Sequence, residues 1–597
     1  MKNGSKIYLK QLLLTIAILL VINLVSSRIF KRFDLTQDKR YTLSETSVNI
    51  VENVNQPLYV DVFLKGNFPG EFKRLQSETN QLLEEFKAYN SNIIFRFSNP
   101  FDGASDAEKK DLIFNQFKII NPVNSEKEAN EIRESIDKIA DLDQELKNSF
   151  YINGLKPTTI SINDKGKTSE EYVFPWAVVT YGNRSVKVAL LKDMMGASTE
   201  DKIVSSVQHL EYAFANAFNT ISNEKSKKVA ILKGNGELDD RYIGDFVKEV
   251  RENYGIGTFT LDSVATQPNE TLKYLKRYDL AIIAKPIQRF SDAEKQVLDQ
   301  YILSGGKTLW LIDQVNMEMD SLYNERGVSL AFPNDLGLTD MFFKYGIRLK
   351  PDLVKDIMAT PIALATGEQG SATQYTQFPW LFAPMIYPVS KNPIVSNLDG
   401  IRFDFAGGIE LLNNDIKKTV LLQSSAYSKL VGTPSEISLD MVQERPEQSE
   451  FKDKGNIPVA VLLEGAFRST YENRVLPFKD NTFMGKGIAN KMIVVSDGDV
   501  IKNQLDKNGA PLELGYDKWT GKFYANKEFL MNCVNYLLDD TGLINIRSKE
   551  VNLPLLDKEK VYDQYTSSQL LTVGFPIAIL ALFGIIFTFL RKRKYGR

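Results

Sequence analysis

The 597-residue chain holds one cysteine and one histidine. Cys533 alone excludes an intramolecular disulfide, which fits a reducing cytoplasm or an exported bacterial protein that folds without one. His209 alone excludes most His-based catalysis and His-ligated zinc chemistry. An excess of one charge is missing too. Lys and Arg number 73 against 75 Asp and Glu, a net charge of −2, so there is no basic footprint for nucleic acid. Neither Gly-x-Ser-x-Gly nor Gly-x-Cys-x-Gly occurs, which removes the nucleophile elbow. His209 and Cys533 each fall within an amphipathic or apolar helical pattern and read as structural.

Phosphate loops fail in the same way. Gly306-Lys307-Thr308 lacks the glycine five residues before Gly-Lys, where Tyr301 stands. It also leaves a helix and enters a strand, the reverse of a P-loop. Gly234-Asn235-Gly236-Glu237 follows a strand and precedes a helix, but position 239 is Asp rather than Gly. Glu237, Asp239 and Asp240 would repel an anion, so this reads as a tight turn with acids favouring the helix start. No cofactor motif remains. Asp497-Gly498-Asp499 offers two carboxylates at cation spacing with no third ligand near, so a capped turn is the expectation and no metal is assigned.

Two long apolar runs are present. Leu570–Leu590 is uncharged and is followed by Arg591-Lys592-Arg593-Lys594. About 20 apolar residues cross a bilayer, and the basic cluster puts that end in the cytoplasm. Gln11–Ser27 is uncharged as well, behind Lys2, Lys6 and Lys10. Its length favours a retained anchor over a cleaved signal, for which Val25-Ser26-Ser27 is a poor site. Two spans put both termini in the cytoplasm and the intervening residues outside it, at a bacterial inner membrane. The expected order is a cytoplasmic 1–10, a span at 11–30, an exported α/β domain at 31–198 and a second at 199–550. A linker at 551–566, a span at 567–590 and a cytoplasmic tail at 591–597 complete it.

Between the spans, periodicity marks the elements. Thr42-Leu43-Ser44-Glu45 reads as a capping box opening a helix to about Val54. Strand Leu58–Leu64, helix Glu71–Tyr89 and strand Ile93–Phe97 form a βαβ unit of thioredoxin-like outline. Residues 124–147 read as one exposed, charged helix. Thr158–Ile162, Val173–Tyr181 and Ser185–Leu191 are strands, with a hairpin turn at Gly182-Asn183. Helix Ile203–Ile221 opens a second unit. Apolar strands at Lys228–Leu232, Thr258–Leu261, Asp279–Lys285 and Thr308–Asp313 then alternate with helices, the signature of a doubly wound parallel sheet. Thr419–Leu422, Val459–Leu463, Met492–Ser496 and helix Glu528–Leu538 extend it. Residues 323–413 read as a long elaboration and 433–456 as a mobile loop. Open α/β sheets bind at strand carboxyl ends, so Gly234, Asn235, Gly236, Glu237, Asp313, Asp497, Gly498 and Asp499 form the candidate ligand or partner edge.

A family resemblance spans nearly the whole chain. It rests on Asp34-Leu35-Thr36 through Ser44, Gly154-Leu155-Lys156-Pro157, Phe174-Pro175-Trp176, Leu210-Glu211-Tyr212 and Gly234-Asn235-Gly236-Glu237. It continues through Asp299–Asp313, Asn392-Pro393-Ile394, Leu463-Glu464-Gly465-Ala466-Phe467 and Ser496-Asp497-Gly498-Asp499-Val500. In order and spacing these segments resemble the GldG family, gliding-motility-associated auxiliary components of an ABC transporter in Bacteroidota. The resemblance implies a permease and a separate cytoplasmic ATPase as partners. It also implies a second domain similar to class I glutamine amidotransferases. In those a Cys nucleophile sits at a strand-to-helix elbow, and here Asp313-Gln314-Val315 stands at that turn.

The expectation is a non-catalytic accessory subunit. One alternative is a substrate-binding module for a glycan, peptide or lipid. A more distant one is a divergent hydrolase or amidotransferase. In the last span, Gly574, Pro576 and Gly584 are the expected contacts with a permease helix.

Overall fold

The computed structural model describes residues 12, 14–21, 23, 42–121, 123–164, 167–223, 226–369, 372–549 and 558–596. It is a mixed α/β chain in two compact units, 1–549 and 550–597. The N-terminal span expected at 11–30 lies half outside the described residues, of which 12, 14–21 and 23 are helical.

The larger unit starts with a short helix, Glu45–Glu52, N-capped by Ser44, whose hydroxyl accepts the Ser47 N–H. The cap is Ser44 rather than Thr42, the residue expected to open the box. The Ser44 N–H donates 2.7 Å to Glu211, far along the chain. Strand β1 (Leu58–Val62) leads through helix α1 (Gly70–Tyr89) to β2 (Ile93–Phe97), parallel to β1. Strands β3 (Trp176–Tyr181) and β4 (Arg184–Ala189) add antiparallel on the other side, in the order β2-β1-β3-β4. Phe174-Pro175 interrupts the expected strand Val173–Tyr181, because proline has no N–H for a ladder. Helix α2 (Thr199–Ser222) packs on this sheet through Leu210, Phe214, Phe218 and Ile221. The Phe86 and Phe218 rings meet edge-on at 5.1 Å.

Residues 124–147 are not one solvated helix. They form helix Glu126–Asp137 and the start of helix Leu142–Ile152, and Ile136 and Leu146 are buried against Phe63, Phe114 and Phe150. The sparse apolar residues of this stretch are its core face.

The second sheet has seven strands: β5 (Lys228–Lys233), β6 (Gly255–Thr260), β7 (Leu280–Ala284), β8 (Lys307–Leu311), β9 (Lys417–Gln423), β10 (Pro458–Arg468) and β11 (Lys486–Val495). Their order is β9-β10-β11-β8-β7-β5-β6. Strands β6, β5, β7, β8 and β11 run parallel, while β10 and β9 close the edge antiparallel. Burial on both faces explains the unbroken apolar run of β7. Leu280 and Ile282 face one core, with helices α3 (Gly244–Asn253) and α6 (Asn526–Leu538). Ala281 and Ile283 face the other, with α4 (Pro268–Leu275) and α5 (Asp292–Leu303). Cys533 is buried in the first of these cores.

The elaboration after β8 holds a long hairpin, Ala359–Gln369 with Ala372–Ile386, over a satellite core containing Trp380, Phe382 and Phe405. Residues 433–456 are no free loop. They contain strand Ser435–Ser438 and helix Gln448–Phe451, with Ile437 and Phe451 buried.

The smaller unit contains a helix, Tyr565–Lys594, long and apolar enough to cross a membrane. After an α-helical start at Tyr565–Gln569 it passes through a π turn at Leu570–Gly574 into α7 (Phe575–Tyr595). Pro576 supplies no N–H to the preceding turn, and the Thr572 hydroxyl turns back to Ser568 O at 2.7 Å. Both features favour a widened turn at this place.

Candidate functional site

The chain runs from β5 outward to β6, then returns to the other side of β5 as β7. That reversal opens a crevice beyond the strand carboxyl ends, where open α/β sheets take ligands. The loops after β5, β7, β8 and β11 meet there.

Lys285 is the hub. It follows the fully buried β7, lies 3% exposed and has φ +55. A left-handed backbone costs a non-glycine residue about 1 kcal/mol or more. Its Nζ lies 2.6 Å from Asp499, 3.2 Å from Glu318 and 3.3 Å from Asp313. Lys502 joins at 3.2 Å from Glu318 and 3.4 Å from Asp499. Burial alone would lower the Lys285 pKa, but the carboxylates of Asp499, Asp313 and Glu318 outweigh it and raise it. An ammonium held protonated by three carboxylates is neither a nucleophile nor a base.

The acids respond differently. Burial pushes Asp313 up to about 6, against the opposing pull of Lys285. Burial also raises Asp499, yet Lys285 and Lys502 hold it below the ordinary range. Among the described residues, Asp497 has no cation partner. Burial and the nearby Asp313, Asp499 and Asp404 push its carboxyl well up. Its oxygens accept the N–H groups of Asp499 at 2.6 Å and Asp404 at 2.7 Å. Behind it, Arg402 forks onto Asp404 at 3.0 Å on both arms and reaches Asp517 at 3.3 Å. Gly498 is required by close approach. A Cβ there would lie 2.5 Å from Lys285 Cγ. The Gly498 N–H donates to Asp313.

The Gly234–Glu237 loop flanks this cluster. Asn235 O accepts the N–H groups of Ile287 at 3.0 Å and Gln288 at 2.8 Å, joining the loop to the segment after Lys285. Gly236 has φ +73, and a Cβ there would lie 2.6 Å from Ile287 Cγ1. Asn235 Oδ1 and Glu237 Oε1 are buried acceptors without a hydrogen bond among the described residues.

The structure thus gathers Asp313, Asp497, Gly498 and Asp499 into one cluster and sets Gly234–Glu237 beside it. Sequence reasoning missed Lys285, Glu318, Lys502, Arg402 and Asp404. A lysine ending a wholly apolar parallel strand was the available signal for the first. No strand-to-helix elbow forms after β8, because the chain passes into a short strand, Val315–Asn316. Of the membrane-helix residues, Gly584 borders open space, while a Cβ on Gly574 would rest 3.8 Å from Leu570.

These features define a mixed α/β body whose strand-end cluster is locked by buried ion pairs, on a chain with a helix of membrane-spanning length. The chain belongs to the ABC-type uncharacterized transport system auxiliary family, which matches residues 226–533, just over half of its length. Residues 37–130 match a domain of unknown function. A protein of Borreliella burgdorferi, described only as uncharacterized, is 22% identical over 606 aligned positions, covering 100% of both chains. Among solved structures, the mmIFT52 N-terminal domain aligns over 53% of this chain and 99% of its own, at 14% identity and a TM-score of 0.29. That score is too low to define a shared fold.

Proposed function

We propose that this chain is a non-catalytic, membrane-anchored accessory subunit of an ABC-type transport complex, working with a permease and a separate ATPase. The observation that carries the reading is the family match across 226–533, the segment that builds the seven-stranded sheet. The Lys285 ammonium, paired with Asp313, Glu318 and Asp499, adds support, since a lysine so held is not an activated nucleophile.

In this reading the C-terminal helix crosses the cytoplasmic membrane with Arg591, Lys592, Arg593 and Lys594 on the cytoplasmic side, and the body is exported. A second, N-terminal span would put both termini in the cytoplasm. Gly574, Pro576 and Gly584 face the permease. Residues 31–198 are thioredoxin-like, a reading supported by the order β2-β1-β3-β4 with β3 antiparallel to the other strands. Residues 199–550 keep an amidotransferase-like sheet without the nucleophile. A role in gliding motility rests on the resemblance to GldG.

The deciding experiment is affinity isolation of the intact protein from gently solubilised membranes. A permease and an ATPase should accompany it in fixed ratio. Isolation as a lone monomer from membranes containing the assembled transporter would overturn the reading. Deleting the gene should abolish transporter function, and gliding where the organism glides.

A further inference from the structure

The long hairpin of the elaboration, Ala359–Gln369 with Ala372–Ile386, outruns the core beneath it. Near its base Ile362, Trp380 and Phe382 are buried in the satellite core. Farther out, residues 365–367 and 373–375 are all exposed. A two-stranded ribbon in water is marginally stable by itself, and further strands are what make it persist.

The two edges of this ribbon differ. The first strand is guarded. Pro361 has no N–H to offer, and a register shift between Ala365 and Gly367 interrupts the ladder. The second strand is bare over 372–378, Ala-Thr-Gln-Tyr-Thr-Gln-Phe, which holds no charge, proline or glycine. Each of these residues is paired with the first strand. Among the described residues the backbone of 372–378 makes no pairing on its outer side, and the next strand, Ile401–Arg402, joins only at Met385 and Ile386.

The outer strands of the two main sheets are protected by comparison. β2 carries Arg96, β4 carries Arg184 and Lys187, and β9 carries Lys417 and Lys418. β6 is weakened by Gly255 and Gly257. An uncharged edge rich in Thr, Tyr and Phe is an aggregation hazard unless a defined strand pairs with it.

Charge and symmetry select that strand. Antiparallel pairing of 372–378 with the same stretch of a second chain is isologous and sets no like charges opposite each other. The strand starts at Ala372 and the bare stretch ends before Pro379, so only the register centred on Tyr375 pairs all seven residues. In that register the two Tyr375 side chains meet at the axis, and each Thr373 stands opposite a Gln377. Aromatic and hydrogen-bonding pairs of this kind stabilise a sheet. The Tyr375 ring, 56% exposed, lies 6.1 Å from that of Trp519, 58% exposed, so each copy brings an aromatic pair to the junction.

We propose that the outer edge of 372–378 pairs antiparallel with the same edge of a second copy of this chain, joining two hairpins into a four-stranded sheet about a two-fold axis at Tyr375. The proposal is independent of the accessory-subunit reading, since such a subunit can serve a transporter singly or in pairs.

The test uses the full-length protein in mild detergent, where its particle mass should be that of two chains. Cys533, the sole cysteine, is buried, so an introduced thiol reports on its own position. Tyr375→Cys should give a disulfide-linked dimer under mild oxidation, because directly opposed residues stand about 4.5–5.5 Å apart at Cα. Thr373→Cys alone should not link, and Thr373→Cys with Gln377→Cys should. Tyr375→Lys sets two ammonium groups opposite each other and should weaken self-association about tenfold. The position is exposed, and an unchanged melting temperature verifies that the variant is folded. The proposal is overturned if the wild-type particle is a single chain, including one whose bare edge pairs with another transport subunit. It is equally overturned if Tyr375→Lys associates as tightly as wild type, or if Thr373→Cys alone links as readily as Tyr375→Cys.

Discussion

The Arg547 guanidinium donates to Glu528 Oε1 across 2.8 Å, and Lys192 reaches the same oxygen at 2.9 Å. Three segments are tied at one carboxylate: the end of the first sheet, the start of α6 and the stretch after α6. His209 sits beside them, its Nδ1 3.2 Å from Arg547. Burial, Arg547 and Lys192 together lower its pKa well below the ordinary value, so it stays neutral.

Glu528→Gln tests this knot. Burial alone raises the Glu528 carboxyl, but Lys192 and Arg547 bring it down to about 2 from 4.5. A depressed carboxyl contributes stability above its unfolded pKa and loses it as pH falls through the folded one. The variant should therefore be less stable by about 2 kcal/mol at neutral pH, a figure discounted because 32% of the side chain meets solvent. The gap should narrow between about pH 4.5 and 2. Thermal unfolding across that range reads it.

Asp313→Asn should show the opposite pH dependence. The Asp313 carboxyl is raised from 3.8 to about 6, so the folded state holds its proton longer than the unfolded state. Wild-type stability then falls, relative to the variant, as pH climbs from 3.8 to about 6, and the difference is constant above that. The change amounts to at most ~3 kcal/mol. Paired urea titrations at successive pH values measure it. A flat difference would contradict the burial argument.

Gly498→Ala should cost roughly 2 kcal/mol or more, because its Cβ would overlap Lys285 Cβ at 2.6 Å and press its backbone Cα at 3.0 Å. Gly70→Ala, at the first turn of α1 with nothing within 4 Å, is the control and should be within about 0.5 kcal/mol of wild type. Melting temperatures distinguish the two.

Gly584→Leu addresses the membrane helix. A Cβ at Gly584 meets nothing within 4 Å in this chain, so the body should melt unchanged. If a permease helix packs there, the bulky side chain will push it away and yield of the co-purified permease should drop severalfold. Equal recovery would remove Gly584 from the interface.

Much of the second sheet was legible because its parallel strands are buried on both faces. Asp279–Lys285 and Thr308–Asp313 read as strands from composition alone, within two residues of the observed Leu280–Ala284 and Lys307–Leu311, and the Ser291 cap marked α5. The strand-end cluster was half legible. Asp313 and Asp497–Asp499 stand at strand ends, where pattern reasoning looks. Glu318 pairs with Lys285 and Lys502, and the Arg402–Asp404 pair of the elaboration reaches Asp517 and the loop after β11, contacts so distant in sequence that no local period reveals them. The helix pair in 124–152 was obscured for a related reason. A small core needs few apolar residues, so a charge-rich stretch can still be folded against one.

One pairing near the ends of the larger unit has a bearing on biosynthesis. Lys549 Nζ donates 2.8 Å to Thr42 O and reaches Glu211 at 2.7 Å, while Leu543, Ile544 and Ile546 share a core with Leu43, Ile50 and Val51. The first part of the body to be translated is completed by the last. A growing chain must wait, incompletely closed, through some five hundred residues of synthesis before that core can seal, as contacts so distant in sequence form late. Such a protein invites a holding chaperone, and truncation just short of Leu543 would harm the beginning of the chain as much as its end.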